Sequence, residues 1–221
     1  MDLLTIVNAV SPSYESIKTE ITELKKSYPK KTKDELANIF GDRLKRKYTS
    51  VGVATALPSV IPGLGTAVQI ATEVTTVSGD LALMLRWMAA NCYGIGIIYG
   101  KDIEAEFNQE FVRVLGVWCG VIQFAKVGAT KIGTKIAVVQ FNKKVSGKVL
   151  QKINQRVSTT ILTKYGTKRG GIALGRLIPF GVGAAIGGTF NYFTMNGFKK
   201  SAINYFKSDE ATTEYVIYEE I

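Results

Sequence analysis

The chain has 221 residues, 46% of them apolar and 21% charged, a balance that supports a sizeable core without disulfide or metal staples and excludes disorder. Histidine is absent, which rules out a Ser-His-Asp triad, a Cys-His dyad, a His-ligated zinc and an imidazole switch. The net charge of +10 points to an anionic partner.

The amino terminus, MDLLTIVNAVS, carries Asp2 where an export signal needs basic charge, and its apolar run is short. This predicts a cytoplasmic location. Residues 14–27 set Ile17, Ile21 and Leu24 on one face, the pattern of an amphipathic helix that Pro29 ends. A second helix opens with Thr32-Lys33-Asp34-Glu35, a capping box with two acids in its first turn. Its buried face is predicted to be Leu36, Ile39, Phe40 and Leu44, and its wet face Arg43, Lys45, Arg46 and Lys47.

Residues 48–72 carry no formal charge and hold Pro58, Pro62, Gly63 and Gly65. They read as two apolar helices around a Pro-Gly corner. A long helix is predicted over 66–99, weakened at Gly79, with Ile70, Val74, Val77, Leu81, Leu85 and Met88 at helical spacing. Within it Asp80 and Arg86 are candidates for a buried or partly buried polar site. Tyr99-Gly100 closes the helix, and Asp102 is predicted to cap the next, which runs to about residue 129. Cys92 and Cys119, the only thiols, read as reduced, buried small hydrophobes.

Charge is unevenly spread. Residues 111–208 hold 16 Lys and Arg and no acid, whereas 209–221 hold five acids and no base. So long a basic stretch calls for an anion: a membrane surface, a nucleic acid, or the chain's own acidic tail. Residues 130–165 form a basic amphipathic helical pattern, with Lys131, Lys135, Lys143, Lys144, Lys148, Lys152 and Arg156 as candidate contacts to an anionic surface. A second uncharged run, 177–198, holds Ile178-Pro179-Phe180-Gly181, which echoes Ile61-Pro62-Gly63-Leu64. Five GxxxG spacings, at Gly96/Gly100, Gly116/Gly120, Gly166/Gly170, Gly171/Gly175 and Gly183/Gly187, allow close helix approach, with those near Gly100 and Gly170 also readable as turns.

No catalytic, cofactor or metal motif stands out. GLGTAV lacks the third glycine of a dinucleotide fingerprint, and GATKIGTK at 128–135 has Thr-Lys where a P-loop needs Lys before Ser/Thr. The sequence therefore predicts neither an enzyme nor a bound cofactor or metal.

YPKKTKDELANIFGDRLKRK (28–47), the Pro62-Gly63-x-Gly65-Thr66 corner, Asp80, IIYGKD (97–102) and RLIPFGVGAAIGGTFNYFTMNGFKKSAINYF (176–206) together resemble the EcsC family of bacterial proteins. The matching positions are Pro62, Gly63, Gly65, Asp80, Tyr99, Gly100, Arg176, Pro179, Gly183 and Asn191. The resemblance implies a helical, apolar, membrane-associated protein, and a membrane protein as a possible partner. Of the matching side chains, those of Asp80, Arg176 and Asn191 suit a ligand; most others suit backbone corners.

The combined expectation is an all-α bundle of roughly six to eight helices with two apolar Pro/Gly-cornered hairpins. Residues 1–27 form an N-terminal amphipathic helix, 28–208 the main helical domain and 209–221 an acidic tail. The expected function is non-enzymatic binding of lipid or another apolar ligand, peripheral at the inner face of an anionic membrane. One alternative is a membrane-inserting protein with 48–72 and 177–198 as re-entrant hairpins. The other is a nucleic-acid binder using 111–208, against which stands the lack of an RNP, KH or zinc-finger signature.

Overall fold

A computed structural model describes residues 3–54, 79–126, 136–139, 147, 149–157, 182–208 and 213–218. Among them are seven helices: α1 (Leu3–Val10), α2 (Tyr14–Ser27), α3 (Lys33–Ala54), α4 (Gly79–Tyr99), α5 (Phe107–Trp118), α6 (149–157) and α7 (Val182–Lys207). The expected helical bundle is the fold's main body.

Local sequence signals place several of these ends. The Ser13 hydroxyl caps α2 by accepting from the Ser16 amide, 3.3 Å away. The Thr32–Glu35 capping box forms in both directions: the Glu35 amide donates to Thr32 Oγ1 (3.2 Å) and the Thr32 amide to Glu35 Oε2 (2.9 Å). Glu35, also bonded by Lys31, has its carboxyl pulled down to about 2. At the end of α4, Gly100 adopts φ +86°, a left-handed conformation that glycine reaches without strain. The Gly100 and Lys101 amides then donate to the Ile97 and Gly96 carbonyls, the paired bonds of a Schellman motif.

The core is built around α3, α4 and α7. Asp34 meets Tyr99 and Lys207, whereas Asp42 meets Lys199 and Lys45 approaches Asn196. Helix α3 therefore runs antiparallel to both α4 and α7. Helix α4 is apolar nearly all round, burying Leu85, Met88, Cys92, Ile95 and Ile98, as a helix with neighbours on every side must. A ladder of rings joins the outer helices to this core. Tyr93 stacks on Phe107 with centroids 3.9 Å apart, Phe111 lies 6.0 Å from Phe198, and Phe198 meets Trp118 edge-on at 6.4 Å.

Several expectations need correction. Helix α1 stands apart from α2 and buries Ile6, Val7 and Val10, so the N-terminal region holds two helices. The cap of α5 is Glu106, not Asp102. Helix α5 does not continue to residue 129; it stops at Trp118, and Gly120 (φ +78°) turns the chain into a strand. The basic pattern over 130–165 is not helical throughout either, since it supplies a second strand at 136–139.

The strands are β1 (Ile122–Lys126), β2 (Ile136–Val139) and β3 (Thr213–Tyr218). They form one antiparallel sheet in the order β1-β3-β2. Its central strand is part of the acidic tail. Phe124 and Val139 both pair with Tyr215, so the tail bridges two stretches of chain that lie apart in sequence.

Candidate functional site

Helix α3 packs against two helices at once, so its buried stripe is wider than a one-sided surface helix needs. Ala37, Phe40, Leu44 and Tyr48 are buried. Lys45 is buried with them, at 8% exposure, and the expectation of a wet Lys45 is overturned. It lies four residues after the buried Gly41 and three before Tyr48; helical spacing alone could have placed it inside.

Lys45 Nζ donates to Asp42 Oδ1 at 2.9 Å. Lys199 from α7, only 5% exposed, donates to the same oxygen, also at 2.9 Å. Gly41 makes room for that lysine: a Cβ on residue 41 would stand 2.5 Å from both Cγ and Cδ of Lys199. Lys45 Nζ also lies 4.2 Å from the Tyr192 ring centroid and 3.5 Å from Asn196 Oδ1. Burial opposes the charge on Lys45, but Asp42 and Tyr192 outweigh it and its pKa rises. The Asp42 carboxyl is pushed up by burial and down, more strongly, by the two ammoniums. Lys45 thus holds its proton beside an ionised carboxylate whose Oδ1 also accepts from Lys199.

Below this cluster, Asn91 is fully buried between α4 and α7. Its Nδ2 donates to the Trp87 carbonyl and contacts Met195 Sδ, each at 3.1 Å, while its Oδ1 has no hydrogen-bond partner among the described residues. Above the cluster, Tyr192 and Phe193 stand out from α7, 43% and 66% exposed, with their rings edge-on at 5.7 Å. They belong to the uncharged run 177–198, whose following residues Thr194, Met195 and Phe198 turn into the core. Sequence reading marked the run but not which of its side chains would face out.

The positions singled out from sequence are distributed over the fold. Arg86 is half-buried and donates to the Val10 carbonyl at 2.7 Å, tying α4 to the end of α1; burial pulls its pKa down. Asp80 lies at the start of α4, while Gly183 and Asn191 lie on α7. Tyr99 closes α4 and donates to Asp34 Oδ1 at 2.6 Å, and the Tyr99 carbonyl accepts from Lys33. Lys152 and Arg156 are on α6, half-buried and exposed respectively, while Ile153 and Val157 of the same helix are buried. Pro62, Gly63, Gly65, Arg176, Pro179, Lys131, Lys135, Lys143, Lys144 and Lys148 lie outside the described residues.

Of the GxxxG pairs, Gly96 and Gly116 sit where a Cβ would collide with Ile103 and Ile122. Their partners Gly100 and Gly120 end helices. Each of these two pairs therefore combines a close contact with a turn. Among the described residues no helix is long and apolar enough to cross a membrane, and no group of three or more Cys, Asp or Glu could hold a metal ion. No protein-family model, curated protein or solved structure matches the chain.

Proposed function

We propose that the protein is a non-enzymatic, peripheral membrane protein that binds anionic lipid through the α3–α7 face. The observation that carries this reading is the exposed Tyr192–Phe193 pair above the lysines that share Asp42. Aromatic rings beside ammonium groups suit the boundary between headgroups and acyl chains, where the ring is half in oil and the charge meets phosphate. Removing Phe193 from water contributes about 1.5–3 kcal/mol, and each Lys or Arg near an anionic surface about 1 kcal/mol. Either alone is too weak for stable attachment; together with the carboxylate-free stretch 111–208 they suffice for reversible binding. The motif resemblance to EcsC proteins points the same way, toward the inner face of a bacterial membrane.

Flotation with phosphatidylcholine vesicles, with and without phosphatidylglycerol, tests the proposal. The protein is expected to float with the anionic vesicles only, and the Tyr192→Ser/Phe193→Ser double variant to lose at least tenfold in partitioning. Equal behaviour of the wild type towards both vesicles would overturn the reading.

A further inference from the structure

Two buried ammoniums on one carboxylate oxygen are an unusual expenditure of charge. Because Lys45 and Lys199 each bond Asp42 Oδ1 at 2.9 Å, their nitrogens are at most about 6 Å apart, close enough for strong mutual repulsion where water is scarce. One carboxylate balances one of them. The other contacts of Lys45, the Tyr192 ring and Asn196 Oδ1, are dipolar and carry no net charge. The cluster therefore holds a net positive charge withdrawn from solvent, which costs stability unless an anion completes it. The cluster is not closed off, for the Asp42 side chain is 40% exposed.

We infer that Lys45 and Lys199 form a binding site for a phosphate group, that of an anionic phospholipid, with Asp42 as the built-in anion that bridges the two ammoniums when no ligand is present. This deepens the membrane reading and rests on it for the source of the phosphate. An ammonium is a compact point charge suited to a phosphate oxygen, and the shared point at Asp42 Oδ1 marks where such an oxygen would be attracted. Gly41 supports the assignment, because any larger residue there would push the Lys199 stem aside. The exposed Tyr192 ring, 4.2 Å from Lys45 Nζ, and the Phe193 ring edge-on to it offer apolar surface to the glycerol and first acyl carbons of such a lipid.

The test is calorimetric titration of the full chain with monomeric dihexanoyl phosphatidic acid, with inorganic phosphate and dihexanoyl phosphatidylcholine in separate arms. The expected result is saturable binding of phosphatidic acid, weakened at least tenfold in Lys199→Met. That variant keeps the buried volume and leaves Asp42 paired with Lys45. Asp42→Asn removes the competing carboxylate and is expected to bind severalfold more tightly. Its melting temperature should rise more on adding ligand than that of the wild type, a gain that a purely structural ion pair would not produce. Inorganic phosphate binding to the same lysines would support the site with the phosphate alone sufficient; phosphatidic acid binding without it would support a lipid source. No saturable binding, or binding indifferent to Lys199→Met and Asp42→Asn in folded protein, would overturn the inference. Flotation that persists in Lys199→Met with no monomeric binding would remove the phosphate site and leave the membrane reading intact. Monomeric binding without flotation would do the reverse.

Discussion

The ring of Phe40 fills the space that a side chain on Gly94 would need: a Cβ there would stand 2.0 Å from the Phe40 ring. This contact sets how closely α3 approaches α4. Ring and backbone are both fixed by their surroundings, since Phe40 is fully buried and Gly94 lies inside a helix. Gly94→Ala is therefore expected to destabilise by about 1–3 kcal/mol through overpacking, and Phe40→Ala by about 3–5 kcal/mol through the cavity it leaves. Denaturant melts of the two variants check this. A smaller loss in the double variant than the sum of the two singles would show that they act on one contact.

Acid should loosen the bundle through two carboxylates. Hydrogen bonds from Lys207 and Tyr99 hold Asp34 below its ordinary value of 3.8. At Asp42 burial works upward, and the lysine bonds more than offset it. A depressed folded pKa means stability fully present above the unfolded value and lost as pH falls through the folded one. The melting temperature is thus expected to be flat with respect to these two groups above about pH 5 and to fall as pH drops below 3.8. Asp42→Asn should lower it at neutral pH and give a shallower acid limb. Calorimetric scans across that range provide the check.

Removing residues 209–221 should undo the sheet without undoing the bundle. Among the described residues β3 is the strand that β1 and β2 both pair with, so their backbone groups lose their hydrogen bonds to it. Hydrogen exchange is expected to show lost protection at 122–126 and 136–139, with the amides of α4 near Met88 and Ile95 still protected.

The cysteines should differ in reactivity. Both are free thiols. Burial, with a smaller contribution from Glu110, pushes Cys92 well above its ordinary value, and burial also raises Cys119, which keeps partial exposure. A thiolate reagent at mildly alkaline pH is expected to label Cys119 first and Cys92 only at the rate of unfolding. Mass-resolved labelling reads the order.

Much of the helical framework was legible in the sequence because its signals are local. The Thr32–Glu35 box, the stop at Pro29, the Ile17/Ile21/Leu24 stripe and the Gly100 turn each act within about one helical turn. The candidate site was not legible in the same way. Asp42 and Lys199 are 157 residues apart, and nothing within either segment names the other. Lys45 carried a partial signal in its spacing from Gly41 and Tyr48, which residue type overrode, since a lysine is ordinarily taken as wet.

By itself, then, the sequence determined a helical protein with well-marked ends, an uncharged run bearing Tyr192 and Phe193, and a basic stretch followed by an acidic tail. Tertiary structure decided that α5 yields to a strand, that the tail supplies the centre of the sheet, and that Lys45 lies inside α3's packing face. The reason is range. Capping and amphipathic spacing act over three or four residues, whereas strand pairing and the burial of a charge depend on partners that only folding brings within hydrogen-bond distance.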